Sequence, residues 1–330
     1  MSFSVRGLTI DPPIALAPMV GLSHSALRQL VAGFGGTGLY FTEMLSAKRL
    51  PSENEKKSPY LLRTGKEHPL IFQLYFIDEA HIEEAIAKAH QFNAQGIDIN
   101  LGCGAPNIKK MGAGQSLLDN AAGVERVIRS IRRKTELPLS AKIRIGYEEN
   151  AAKLREICLR LQNYGLDYLT IHARLVGEKF CRKPRWHILK KTINSLSIPV
   201  LVNGGIYSVK DARMCLDITG AHGLMIGRAG AQKPWLMRDI AHQLYKHEAI
   251  SPDKNLDQIY YVFMNFLRDF PPERQLGRLK QFTHYFAKNF VFGHKFASMI
   301  QNAKSMDEAF TCTNRFFSSN DEILQMEMTS

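Results

Sequence analysis

Cys103 stands in a glycine-rich turn, Gly102-Cys103-Gly104-Ala105-Pro106, directly behind the apolar run IDINLG at 97–102. An unperturbed thiol, with a pKa of about 8.5, is mostly protonated at neutral pH and can donate a proton. Given a neighbouring base, the same thiol could instead act as a nucleophile. Lys142 closes another apolar stretch, LSAKIRIG at 139–146. A buried ammonium without an acceptor is costly, so Lys142 must face one. Two acceptors are open: the N1–O2 edge of a flavin, which becomes negative on reduction, or a strand-end acid such as Glu43. His172 ends LDYLTIHA at 166–173, either as a core histidine or as a second member of the Lys142 site. Asn203-Gly204-Gly205 and Gly227-Arg228 close two further runs. Glycines there let backbone N–H groups approach a phosphate, and Arg228 adds charge; tight turns without a ligand are the alternative.

These residues share a position, each at the end of a short apolar run. The runs are IALAP from Ile14, LYFTE (39–43), LIFQLY (70–75), IDINLG, LSAKIRIG, LDYLTIHA, PVLVNGG (199–205) and GLMIGR (223–228). Apolar on both faces and bounded by Gly or Pro, they read as buried parallel strands. Amphipathic stretches separate them. One is predicted to open at an Asp78 N-cap, with His81, Ile82, Ala85, Ile86 and Ala89 at helical spacing. In another, 124–134, Val124, Val127, Ile128 and Ile131 share a face opposite arginines. Eight strands in eight β-then-α units predict an α/β fold, a (β/α)₈ TIM barrel, over residues 1–245. Reactive groups of that fold sit at the C-terminal strand ends, where Pro18-Met19, Glu43-Met44, Gln73, Asn100, Arg144 and Arg174 also fall.

Residues 246–330 read as a small all-helical domain, with helical patterns at 256–270 and 273–290 around Pro271-Pro272. The window 274–306 holds six Lys or Arg and no acid, and Lys280, His284 and Lys288 follow at intervals of four. Leu279, Phe282 and Phe286 form the opposing apolar stripe. The lysines are a solvated face or a phosphate-facing one; the unrelieved charge favours RNA. A net charge of +12 points the same way, although solubility or an anionic membrane surface would also account for it. Five scattered cysteines, never in CxxC spacing, argue against a disulfide framework or a zinc site. No run is long enough to span a bilayer and no export signal is visible, so a cytoplasmic location without a membrane is expected. No metal and no obligate protein partner are expected.

Together APMVG (17–21), TEM (42–44), INLGC with the downstream GAGQSLL (112–118), AKIRIGY, IHAR, NGGI and MIGRAGAQKPW resemble the dihydrouridine synthases, over residues 13 to about 300. The resemblance implies FMN, NADPH as reductant, tRNA as partner and reduction of the uracil C5–C6 bond, with hydride to C6 from flavin N5. It assigns Pro18, Met19 and Val20 to packing on the flavin, Gln73 to its pyrimidine edge, and Lys142 and His172 to its N1–O2 side. Asn203, Gly204, Gly205, Gly227 and Arg228 would hold the phosphate. Asn100, Arg144 and Arg174 would meet the uridine, Lys280 and Lys288 the RNA, and Cys103 would protonate C5. The chain departs from the family pattern at Gly104, where a proline is usual, at Ser23-His24 in place of Thr-Asp, and at Ala173 and Leu175 in place of Gly and Thr. Those departures mark a divergent branch and leave rRNA open beside tRNA. An FMN barrel acting on a small molecule would not need the basic helices, and a non-catalytic RNA-binding protein would carry no flavin.

Overall fold

A computed structural model describes residues 2–54, 58–179, 181–248 and 254–318. The last twelve residues of the expected helical domain, 319–330, lie outside the described residues. Eight parallel strands follow the eight apolar runs: β1 (Ile14–Leu16), β2 (Tyr40–Phe41), β3 (Leu70–Tyr75), β4 (Gly96–Asn100), β5 (Leu139–Arg144), β6 (Tyr168–His172), β7 (Val200–Asn203) and β8 (Gly223–Ile226). β8 pairs with β1 in the register Leu224↔Ile14, and a bridge from Ala15 to Leu39 joins β1 to the β2 side. The ring is thereby closed, with helices outside, as expected for a (β/α)₈ barrel.

The strands are not apolar on both faces. Their outward residues, such as Phe72, Ile97, Ile99, Ala141, Ile143, Leu169 and Ile171, join one large cluster with the surrounding helices. Their inward residues form a small apolar cluster at the start of the strands, including Phe41, Ile71, Tyr168, Leu201 and Met225. Because side chains alternate, the next inward positions are Gln73, Asp98, Asn100, Lys142, Arg144 and His172. The interior therefore turns from apolar to polar along the barrel axis. An antiparallel hairpin, Phe3–Val5 with Leu8–Ile10, was not apparent from sequence. Its turn, Arg6-Gly7, has φ of 45° and 79°, as a two-residue hairpin turn requires. Val5 and Ile10 join the inner cluster, so the hairpin covers the N-terminal end of the barrel.

Asp78 does not cap the first expected helix. It accepts from Ala80 N at 2.9 Å in a preceding turn, and the helix runs Ile82–Gln91. The helix Ala121–Arg132 buries Val124, Val127, Ile128 and Ile131, with Asn120 as its cap.

After the helix Leu236–Tyr245 come Leu256–Phe266, Pro272–Phe286, Gly293–Asn302 and Met306–Ser318. The two expected helices are shorter than the pattern suggested, because each unwinds into a 3₁₀ turn, Leu267–Asp269 and Ala287–Asn289. Lys288 accordingly lies beyond the helix that carries Lys280 and His284. Phe263 and Phe282 stack at 3.7 Å and Phe296 and Phe316 at 4.5 Å, so most aromatics of the basic window are core. This bundle shares the outer hydrophobic cluster with the barrel, and Leu256–Phe266 lies against the barrel helix Ser25–Phe34. His24, at that seam, is fully buried between Phe263 and Phe270, and neither ring nitrogen has a partner among the described residues; burial and the nearby Arg278 hold it neutral.

Candidate active site

A cavity of about 330 Å³ opens at the C-terminal end of the strands. Pro18, Met19 and Val20 line one side of its rim, and Gln73, Asn100, Cys103, Lys142, Arg144, His172, Asn203, Gly227 and Arg228 supply the polar surface. Residues from seven of the eight strand ends, and Met44 just past the remaining one, thus reach one pocket.

A chain of hydrogen bonds sets the polarity of the floor. Asp98 is completely buried, accepting from Ser140 Oγ at 2.6 Å and from Gln73 Nε2 at 2.7 Å. Gln73 Oε1 in turn accepts from Asn100 Nδ2 at 2.9 Å, and Asn100 Oδ1 accepts from Cys103 N at 3.0 Å. An ionised carboxylate only accepts, so it dictates which way each amide points. Each amide keeps one N–H over, while its oxygen is already engaged, Gln73 Oε1 by Asn100 and Asn100 Oδ1 by the Cys103 turn. Asn100 therefore also shapes the Cys103 turn, whose carbonyl accepts from Gln115 N at 3.1 Å. Burial raises Asp98 to about 6, against the pull of Ser140, Gln73 and Lys142.

Lys142 has no hydrogen bond or ion pair among the described residues and faces the cavity. Burial and the neighbouring Arg144 lower it to about 8, partly offset by Asp98. Its electrostatic partner is thus Asp98 and not Glu43. Glu43 accepts from Gly21 N and lies 3.9 Å from Arg278 of the helix Pro272–Phe286. His172 is held far below its usual range by burial and by Lys142, Arg144, Arg174 and Arg228 around it. It is a neutral ring whose Nε2 accepts from Arg174 Nη1 at 3.1 Å. Arg174 stands behind that ring, nearly fully buried and also bonded to Arg182 O at 2.7 Å, and does not line the cavity. Arg144 lines it while donating to Leu175 O at 2.7 Å.

The glycines divide into two kinds. A Cβ on Gly204 would fall 2.6 Å from His172 Cδ2, and one on Gly205 2.5 Å from Pro184 Cγ; both have positive φ. Packing alone therefore accounts for them, and neither lines the cavity. Gly227 does, with no atom nearer than 3.7 Å to such a Cβ. Asn203 spends its amide on Met225 O at 2.7 Å. Lys280 and Lys288 lie outside the pocket.

Four residues were missed. Asp98 carried a signal, an acid inside an apolar run. Met44 sat in a quoted motif without a role. Gln281 and Tyr285 come from the helix Pro272–Phe286, and the face it turns to the rim depends on how it crosses the barrel.

Cations, amide donors and an apolar rim at the mouth of a barrel fit a flat ligand rich in carbonyl acceptors and carrying an anionic group. The dihydrouridine synthase family model matches residues 15–314. The chain belongs to the dihydrouridine synthase family. The tRNA-dihydrouridine synthase B of Yersinia pestis is 32% identical over 249 residues, 72% of this chain and 73% of that protein. The corresponding protein of Shewanella oneidensis is 31% identical, over 74% of this chain and 76% of its own length. Among solved structures a 2-naphthoyl-CoA reductase complex superimposes with a TM-score of 0.55 at 11% identity, covering 80% of this chain and 55% of that one, a likeness of fold. Membership of this family makes the chain an enzyme of uridine reduction. No helix among the described residues is long and apolar enough to cross a membrane.

Proposed function

We propose that this synthase reduces the C5–C6 double bond of uridine in tRNA, holding FMN in the cavity and using NADPH as the reductant. One observation carries the reading: Lys142, Arg144, Arg228 and the spare N–H groups of Gln73 and Asn100 converge on one cavity, and Cys103 is the thiol beside them. FMN, when bound, supplies the hydride for C6. Lys142 and the free N–H of Gln73 suit the carbonyl edge of its pyrimidine ring, while Pro18, Met19 and Val20 suit its apolar surface. Arg228 and the open backbone at Gly227 suit its phosphate, with Asn203, Gly204 and Gly205 shaping the loop behind. His172 stays neutral and keeps Lys142 company without competing for a proton. Arg144 and the free N–H of Asn100 suit the uracil carbonyls, which a cytosine amine would not satisfy. Arg174 acts through His172. Cys103 donates the proton to C5. Residues 246–330 form the RNA-binding unit, where Lys280 and Lys288 contact phosphates.

The test is Cys103→Ala, assayed for dihydrouridine by mass spectrometry on bulk tRNA. The Cys103 turn is held by backbone bonds, so fold, flavin content and RNA binding should persist. Uridine reduction should fall about 10²–10⁴-fold, the worth of a positioned proton donor. Reduction at the wild-type rate would remove Cys103 from the chemistry.

A further inference from the structure

The helix Pro272–Phe286 does more than carry charge. Arg278, Gln281 and Tyr285 stand about one turn apart along one side of it. Each of the first two is committed to the barrel rim. Arg278 lies 3.9 Å from Glu43, and Gln281 Nε2 donates to Val20 O at 3.0 Å. A Cβ on Gly21 would collide with the Gln281 amide at 2.1 Å, so that contact has been given room by a glycine. The helix is thus pinned on two successive turns, which fixes where the third delivers its side chain. Tyr285 arrives in the cavity that Cys103 also lines. Its hydroxyl makes no hydrogen bond among the described residues. The Lys288 ammonium lies 5.6 Å from the centre of its ring, which places a cation next to the aromatic surface at the pocket mouth.

From this we infer that Tyr285 is a substrate-binding residue: its ring forms a wall on which the entering nucleotide stacks, and its hydroxyl bonds that nucleotide. The inference rests on the uridine-in-RNA reading above. An aromatic face accepts any base, a phenol hydroxyl offers both a donor and an acceptor, and the adjoining ammonium suits the nucleotide's phosphate. The pocket is then completed by two parts of the chain. The barrel supplies the floor and Cys103; the C-terminal helices supply one wall. RNA docked on those helices meets the chemistry through Tyr285, so the bundle orients the reacting base as well as binding the molecule that bears it.

Single-turnover reduction of uridine in bulk tRNA, at saturating RNA, tests this with Tyr285→Ala and Tyr285→Phe. Flavin absorbance and thermal melting report whether each variant is folded. The Ala variant should react about 10- to 100-fold more slowly, as befits one lost base–aromatic contact. The Phe variant keeps the wall and should lose only about 2- to 10-fold, the worth of one neutral hydrogen bond. An Ala variant at the wild-type rate overturns the wall, and a Phe variant at the wild-type rate overturns the hydroxyl contact. Should the Ala variant fail to fold, a Phe variant as slow as 10²-fold would overturn the wall as the main contribution. Failure of the unmodified protein to form any dihydrouridine would overturn the functional reading instead, leaving the placement of Tyr285 unaffected.

Discussion

Asp98 is a charge the barrel would be more stable without, and Asp98→Asn should show it. Raised from 3.8 to about 6, the carboxyl holds its proton more tightly in the folded chain than in the unfolded one. At 1.36 kcal/mol per pH unit, ionised Asp98 costs about 3 kcal/mol of stability at neutral pH. The direction follows from proton counting. Below pH 3.8 both states carry the proton and there is no cost; between 3.8 and about 6 only the folded state does, so this contribution falls as pH rises; above about 6 the full cost is present. Asparagine preserves both hydrogen bonds, since its oxygen can accept from Gln73 Nε2 and its amide can donate to Ser140 Oγ. The variant should therefore be more stable by up to about 3 kcal/mol near pH 7.5, with the gain vanishing near pH 4. Lys142 loses its electrostatic partner at the same time, which makes that figure an upper bound and should weaken flavin binding. Urea denaturation of both proteins across that pH range measures the difference directly. A variant less stable than wild type at pH 7.5, or a difference that does not change with pH, would refute the assignment of Asp98 as a buried ionised acid. A gain in stability bought with a loss of activity is the expected pattern for a group retained to organise a site.

FMN affinity should weaken as pH rises through about 8, because Lys142 loses its proton there, and Lys142→Met should flatten the profile; fluorescence titration of the apoprotein follows both. Arg228→Ala should lower FMN affinity about 10- to 100-fold, as expected for one lost charge-assisted bond, and undiminished flavin content would argue against the phosphate assignment. Replacing Lys280 and Lys288 together by Glu should reduce tRNA affinity and lower the slope of log K against log salt by about two, with flavin content unchanged; an identical slope would move the RNA to another surface.

The barrel was legible because eight buried strands leave eight apolar runs, each ending in glycine or a polar residue. The inward polar layer was not, because Gln73, Asp98 and Lys142 occur within runs whose average is apolar; only the alternation reveals that they share a side. Most of the strand-end residues converge on the cavity, since a barrel sends all its strand ends to one face. Arg174 and the glycine pair 204–205 escaped for a different reason. They sit beyond their strands, where the path of the chain decides whether a side chain faces the cavity or the wall behind it. Glu43 was a candidate partner for Lys142, yet its carboxylate serves Gly21 and Arg278, a pairing across more than two hundred residues that no local pattern announces. The basic window 274–306 concealed the same distinction: Arg278 is turned into the seam, while Lys288 is exposed beside Tyr285.

The hairpin at the N-terminal end of the barrel has a kinetic consequence. With Val5 and Ile10 covering that end, and with Gln281 and Tyr285 lining the cavity at the other, the described residues give the reacting centre an entrance at the C-terminal end of the strands. On the reading proposed above, nicotinamide and RNA must both come and go through it. If the two share that mouth, the enzyme would store two electrons between visits and serve its two substrates alternately. On that reading an RNA held at the mouth would govern not only which base is reduced but also when the next reductant is admitted.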